Sequence, residues 1–422
     1  MFSEIVKVYQ KDEKFLVLNP LVPAWIVTNI NGVLLLKLYA EGKSFEKIVD
    51  DFIAVASDFP RLPAWKFLEK ANTEKLFEIP MPSFEHKPYS LNAVYLNMTD
   101  VCNLRCIYCL AEERKESFGT LSLDDYRKLL DEILTIRAGI EIVFTGGEPL
   151  MSPLTLQVAK YAKALGFRCK LMTNATLINE KNVDEIAELF ENVKISVDGS
   201  SAETHDFYRG KGSFDKTMNA ISLLQSRGVE IILAMVVTRQ NMTDVSATSK
   251  KWGNLMNYQP LFSLGKAWQR EDLYLTGREY YEVLANDSNT VPYSNIELVI
   301  KRHMDNRSVL KCAMGDGEIS ISRSGDVYPC QLLHNENFKV GNVKKNPLTE
   351  IYFSDALNRF KLHTVENIDK CRTCDFKLIC GGSCQARHFS ETSSLDKAGD
   401  FCEYEKLSII NGIISSTTLQ TL

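Results

Sequence analysis

Eleven cysteines are unevenly placed along the 422 residues, and their spacing limits the chemistry they can do. Cys102, Cys106 and Cys109 stand as C-x-x-x-C-x-x-C within DVCNLRCIYCL. Three thiolates do not close a tetrahedral zinc site without a fourth ligand. On a cubane iron–sulfur cluster they leave one iron open to a substrate or cofactor. A zinc knuckle completed by a distant residue is the plainer alternative on spacing alone. Cys312, Cys330, Cys371, Cys374, Cys380, Cys384 and Cys402 form a second group. These seven fall one short of two sites with four thiolates each, whether zinc or iron–sulfur. Cys169 stands alone in a candidate strand and reads as a small hydrophobe.

The elements that must position these groups are legible from Leu91 onward, where strand and helix patterns alternate. Buried-strand candidates are Ala93–Met98, Ile140–Thr145, Cys169–Thr173, Val193–Val197, Ile231–Val237 and Pro260–Leu264. Amphipathic helices lie between them, among them Leu123–Ile136 behind a Ser122 cap and Asp215–Ser226. Six alternations argue a parallel sheet wrapped by helices, as a partial barrel or a doubly wound sheet. Ligands gather at the carboxyl ends of such strands. There the chain places Thr145-Gly146-Gly147-Glu148-Pro149, Thr173-Asn174 and Ser196-Val197-Asp198-Gly199. Adjacent glycines permit close backbone approach to a ligand, and a carboxylate beside them can hold a cationic amine. After about Val309 the pattern breaks into short, cysteine-punctuated segments, with a hairpin expected around Ser324–Gly325.

Residues 1–80 form a cysteine-free unit. Its β-like runs, Ile5–Tyr9, Phe15–Val17 and Trp25–Thr28, precede helical patterns at Val33–Ala40, Phe45–Ala56 behind Ser44, and Ala64–Leu76. That order suggests a winged-helix-like module, joined through a linker at 81–90. Hydrophobic residues at 45% and charged residues at 24% are those of a chain with real cores. A net charge of −5 and a pI near 5.8, with no basic stripe, argue against nucleic acid as a partner. No run of about 18 apolar residues and no signal-peptide core is present, so neither a membrane span nor export is expected. The expectation is a soluble, cytoplasmic protein whose clustered thiols bind metal.

The joint occurrence of CNLRCIYC, TGGEP, LMTNATLI and ISVDGSSAETHDFYRGKGSF closely resembles the radical S-adenosylmethionine (SAM) superfamily, from about Leu91 to Glu405. The resemblance implies a partial (β/α)6 TIM-like barrel over 91–305, a cysteine-rich SPASM extension over 306–410 and a C-terminal tail over 411–422. It implies that Cys102, Cys106 and Cys109 ligate a [4Fe–4S] cluster whose open iron chelates SAM. Glu148 would bond the SAM amine, with Gly146 and Gly147 on the same edge. Ser196 and Arg209 match positions that hold the SAM carboxylate and nearby groups, Tyr108 stands where the backbone lies by the adenine, and Asn174 falls toward the ribose or methionyl end. Reductive cleavage would yield a 5′-deoxyadenosyl radical that abstracts hydrogen from the substrate, with a flavodoxin- or ferredoxin-type protein as reductant.

The second cysteine group resembles the SPASM signature, which houses two auxiliary iron–sulfur clusters. By motif position Cys371, Cys374, Cys380 and Cys402 would hold one, leaving Cys312, Cys330 and Cys384 for the other. Some relatives place a further cysteine soon after the first, but here that stretch reads AMGDGEIS. The inner cluster would then have an open iron, or Asp316 or another non-cysteine ligand would fill it. The stretch VLNPLVPAWIVTNINGVLLLKLYAEGKSFEKIVDDF, with its Asn-x-x-Gly turn into a Leu-rich helix, resembles the PqqD-like recognition element of enzymes that process ribosomally made peptides. Such elements bind a leader peptide as an added strand. The function implied is a maturase of a precursor peptide, of the sactisynthase or ranthipeptide-synthase kind, forming a thioether cross-link. Carbon–carbon cross-linking, epimerising, decarboxylating and sulfatase-maturase-like activities are the alternatives.

Overall fold

The fold is that of a computed structural model, which describes residues 5–22, 24–55, 61–78, 90–110, 119–287, 290 and 311–416. The linker expected at 81–90 lies, but for Ser90, outside the described residues, as do 291–310 and 417–422.

The chain begins with an antiparallel meander of β1 (Lys7–Lys11), β2 (Lys14–Asn19) and β3 (Ala24–Thr28). The first helix, Ile30–Tyr39, starts earlier than its apolar pattern indicated, because Asn29 caps it by accepting from Gly32 N at 3.0 Å. Gly32 must be glycine, since a Cβ there would overlap the Thr28 side chain. Helices Phe45–Val55 and Arg61–Thr73 follow, the latter starting ahead of the expected Ala64 because Pro63 is tolerated in a first turn. Val17, Ile26, Leu35, Leu36, Ile48, Phe52 and Leu68 close a small core between them.

Beyond Ser90 one nine-stranded sheet organises the chain, in the order β12-β11-β10-β4-β5-β6-β7-β8-β9. Strands β4 (Ala93–Asn97), β5 (Glu141–Thr145), β6 (Arg168–Thr173), β7 (Asn192–Ser196), β8 (Glu230–Val237) and β9 (Met256–Pro260) run parallel in chain order. Their carboxyl ends therefore share one rim. The helix Leu123–Ile136 has the expected bounds, fixed by a capping box in which Ser122 and Asp125 each satisfy the other's backbone N–H. The last strand lies four residues before the expected Pro260–Leu264 and ends at Pro260. It is an edge strand, MNYQP, with no fully buried residue, so it lacks the apolar run by which buried strands are found.

The cysteine-rich segment is not a separate layer. Its strand β10 (Glu318–Ile321) pairs in parallel with β4 and continues the same sheet. The expected hairpin follows, with Gly325 at φ +87° leading into antiparallel β11 (Asp326–Tyr328), and β12 (Gly341–Asn342) ends that side. The helix Cys402–Ser416 runs past residue 410, where a tail was expected. Ile409, Ile413 and Ile414 hold it there by packing on Leu16, Leu18, Trp25 and Val27 of the N-terminal sheet. Tyr9 tightens that junction, donating to Asp375 Oδ2 at 2.7 Å with its ring 4.9 Å from Phe376. Among the described residues no helix is long and apolar enough to cross a membrane.

Candidate active site

The cysteine triad sits on the loop leaving β4, between three other rim segments. Gly147 N and Glu148 N donate to Thr99 O (2.7 Å) and Val101 O (2.9 Å), zipping the turn after β5 onto the residues before Cys102. From below, Tyr208 O accepts Ile107 N at 3.1 Å, and Cys109 O accepts Lys266 N at 2.9 Å. The glycines make this closure possible. Gly146 has φ +133° and a Cβ there would overlap Thr99 O; one on Gly147 would overlap Val101 O, and one on Gly265 would overlap Cys109 O. The close approach permitted by Gly146 and Gly147 is thus to the cysteine loop itself. Gly265 was not singled out in the sequence, where it is an ordinary loop glycine.

Glu148 is fully buried and ties two strand ends together. It accepts from Thr173 Oγ1 (2.7 Å), Asn174 N (2.9 Å) and Leu150 N (3.1 Å), while burial pushes its carboxyl upward against these donors. Three of its roughly four lone-pair sites are so occupied, leaving capacity for one more donor. Asn174 reaches the triad, its Nδ2 lying 3.8 Å from Cys102 Sγ and 2.9 Å from Asn103 Oδ1. Leu104 N adds a donor to the same sulfur at 3.4 Å.

Arg209 reaches the second sulfur. One guanidinium nitrogen lies 3.9 Å from Cys106 Sγ, another 3.1 Å from the Tyr108 hydroxyl, and Nε pairs with Asp198. Asp198 is the centre of this network and was not assigned a role from the sequence. It is fully buried, accepts also from Tyr108 Oη and Val236 N, and its own N–H donates to His205 Nδ1 at 3.2 Å. The signal for it was an acid two residues beyond Ser196 at a strand end, which a sequence cannot distinguish from a turn residue. Tyr108 is buried, its phenol pushed well up by burial first, so the side chain props the loop from within. Ser196 ends β7 half-buried and shares no hydrogen bond with this network among the described residues.

A second group of sulfurs, Cys371, Cys374, Cys380 and Cys402, lines a pocket together with Phe376, His388, Glu405 and Ile409. Burial pushes Cys371 up to about 12 and Cys380 well above the usual thiol range. A thiolate in such surroundings needs a cation against it. The third group, Cys312, Cys330 and Cys384, gathers where the β10–β11 hairpin meets the start of the helix Gln385–Thr392. Asp316 is not part of it. Its carboxylate pairs with the fully buried Lys311 at 3.0 Å and accepts Gly317 N at 2.9 Å. Among the described residues no three His, Cys, Asp or Glu converge tightly enough to hold a single metal ion. Half-buried sulfurs spread around a space, with donors and a guanidinium at their backs, fit a larger thiolate-bound group. Cys169 is buried, its thiol 3.7 Å from Ala159 O, and packs as an apolar residue.

A family profile described as the radical SAM superfamily matches residues 96–251, and one described as SPASM, an iron–sulfur cluster-binding domain, matches 312–375. An AdoMet-dependent heme synthase of Oleidesulfovibrio alaskensis is 32% identical over 73% of this chain and 86% of its own length. The antilisterial bacteriocin subtilosin biosynthesis protein AlbA of Bacillus subtilis is 27% identical over 70% of this chain and 67% of its own. Among solved structures, Streptococcus suis SuiB bound to S-adenosylmethionine superposes with a TM-score of 0.58 at 14% identity, over 96% of this chain and 100% of that one. SuiB bound to its precursor peptide SuiA gives 0.59 at 13% identity, over 96% and 99%.

Proposed function

Because the chain belongs to the radical SAM superfamily, we propose that it is a maturase of a ribosomally made peptide, with a Cys sulfur-to-carbon thioether as its first product. It is an enzyme whose cofactors are S-adenosylmethionine and [4Fe–4S] clusters. In this reading Cys102, Cys106 and Cys109 hold the first cluster. Together with SAM it supplies, when bound, a 5′-deoxyadenosyl radical that takes a hydrogen atom from the substrate.

The surrounding residues position that chemistry. Glu148, held by Thr173 and Asn174, keeps its remaining acceptor site for the SAM amine, and the zipped Gly146–Gly147 turn fixes the cysteine loop at the same edge. Asn174 and Arg209 place a donor and a positive charge behind Cys102 and Cys106. Because Nε of Arg209 is committed to Asp198, its remaining nitrogens and Ser196 are the groups left for the SAM carboxylate. Cys371, Cys374, Cys380 and Cys402 hold one auxiliary cluster and Cys312, Cys330 and Cys384 the other; a flavodoxin- or ferredoxin-type protein supplies the electron.

The observation that carries the peptide reading is the N-terminal sheet docked on the helix that bears Cys402. It puts a sheet with two edge strands, β1 and β3, beside the cluster-binding segment, where a leader could be added as a further strand while its core peptide enters the sheet's rim. The relation to AlbA and the likeness to peptide-bound SuiB over nearly the whole chain support it. Carbon–carbon cross-linking, epimerisation and peptide decarboxylation use the same parts.

A second reading is favoured by the heme synthase relatives and by a relative named as an Fe-coproporphyrin III synthase, of Methanosarcina barkeri: the substrate is a tetrapyrrole. One anaerobic experiment separates the two. The reconstituted protein, SAM and dithionite are given either the product of the nearest short Cys-containing reading frame or Fe-coproporphyrin III, and both are followed by mass spectrometry. Loss of a hydrogen pair from the peptide, with one thiol lost to alkylation, is expected. A mass change in the porphyrin alone would overturn the peptide reading.

A further inference from the structure

Outside the triad, the inner sulfur group is one short of a closed [4Fe–4S] coordination, and the structure puts a carboxylate beside it. The β10–β11 ladder pairs Ser320 with Tyr328 and Ile321 with Val327. Continued two steps toward the hairpin's open end, the same register sets Glu318 across from Cys330. The Glu318 side chain is hydrogen-bonded to that thiol. Cys384 and Cys312 lie near enough to Cys330 to interact with it electrostatically, and Glu318 near enough to interact with all three.

The backbone fixes this acid firmly. Glu318 N donates to Ala313 O at 3.0 Å and its carbonyl accepts Gly315 N at 3.1 Å, closing a tight loop that begins at Cys312. On β10 the alternation of side chains turns Ile319 and Ile321 into the core, whereas Glu318 and Ser320 face the other way, alongside Tyr95 of β4. The neighbouring acid, Asp316, is taken by Lys311. Glu318 has the Cys330 thiol at its carboxyl, and no ion pair with a Lys, Arg or His is found for it among the described residues. A carboxylate in that position needs a cation.

We propose that Glu318 is the fourth ligand of the cluster held by Cys312, Cys330 and Cys384, binding one iron through a carboxylate oxygen. The inference rests on the reading that these cysteines hold an iron–sulfur cluster. Oxygen is a harder and weaker ligand to cluster iron than thiolate, so the iron under Glu318 is the one a substrate thiolate can claim by displacing it. The site is then neither permanently open nor permanently closed.

The test uses the full chain in a Cys102→Ala, Cys106→Ala, Cys109→Ala background, so that only auxiliary clusters give signals. Iron content and the electron paramagnetic resonance of the reduced protein are measured with and without 13C-cyanide. Cyanide is titrated in each variant. Glu318→Ala should keep its iron and gain a 13C coupling at low cyanide, whereas the parent should gain it only at much higher cyanide, because the carboxylate must first be displaced. Glu318→Cys should keep its iron, shift the signal and exclude cyanide throughout. The isosteric Glu318→Gln guards against a folding defect and should behave like Glu318→Ala. If Glu318→Ala and the parent take up cyanide over the same concentration range, or neither takes it up, Glu318 is not a ligand. If Cys330→Ala lowers neither the iron content nor any signal, no cluster is held there and the underlying reading fails instead.

Discussion

Substituting Gly147 by alanine should disable the enzyme without touching a cofactor ligand. Gly147 does not have a positive φ, so the effect is steric alone. A Cβ there would lie 2.7 Å from the carbonyl carbon of Val101 and 3.0 Å from that of Asp100. Carbon pairs rest at about 3.5–4.0 Å, so Asp100 and Val101 must retreat by about 1 Å. That movement stretches both Gly147 N to Thr99 O and Glu148 N to Val101 O past bonding distance, losing about 2 kcal/mol of backbone hydrogen bonding. Cys102 is the next residue and moves too. Misplacement of a reacting group by about 1 Å costs on the order of 100-fold in rate. Gly147→Ala should therefore lose about 2 kcal/mol of stability in urea titrations and about 100-fold in 5′-deoxyadenosine formation. Gly166→Ala is the control. Gly166 has φ +84° with nothing near its missing Cβ, so alanine strains the backbone by about 1–2 kcal/mol and leaves SAM cleavage intact. If Gly147→Ala cleaves SAM within a few-fold of the parent rate, the zipped turn does not position the cysteine loop.

Asp198→Asn leaves the Arg209 guanidinium buried without its counter-charge, and should destabilise the protein by about 3 kcal/mol in the same titrations; Arg209→Met added to it should recover part of that loss. His205 is buried with Nδ1 accepting Asp198 N, so burial first, then Arg209, push its imidazole down to about 4. The unfolded chain binds that proton near pH 6.5, so stability present above that pH is lost as pH falls toward 4, by about 2 kcal/mol between pH 7 and pH 5. His205→Gln should flatten that part of the pH profile. Tyr9→Phe removes a hydrogen bond to the Asp375 carboxylate, and should loosen the N-terminal sheet from the Cys374 loop by about 1.5 kcal/mol, seen as faster amide hydrogen exchange in β1 and β2.

Cysteine spacing and strand–helix alternation made the triad, the rim loops and the parallel sheet legible, because each is encoded over a few consecutive residues. Ser122 and Asp125 state a helix start, and Ser324–Gly325 a hairpin, within four residues. The missing parts depend on contacts between distant segments. Asp198 acquires its meaning from Tyr108, 90 residues before it, and from Arg209, brought back by the helix Ala202–Arg209. The helix from Cys402 outlasts its expected end because an N-terminal sheet receives its isoleucines. The edge strand Met256–Pro260 turns only Met256 and Tyr258 toward a core, too few apolar residues to mark it. Gly146 and Gly147 were legible as a place of close approach, but what approaches, the Thr99 and Val101 carbonyls, required the fold.

The most direct measurement is the electron paramagnetic resonance spectrum of the reduced, anaerobically reconstituted protein before and after SAM is added, with 5′-deoxyadenosine assayed in parallel. The signal assigned to the Cys102, Cys106 and Cys109 site should shift with SAM and vanish, together with the nucleoside, when those three cysteines become alanine. Zinc in place of iron at that site, a spectrum indifferent to SAM, or nucleoside still formed by the triple variant would contradict the account.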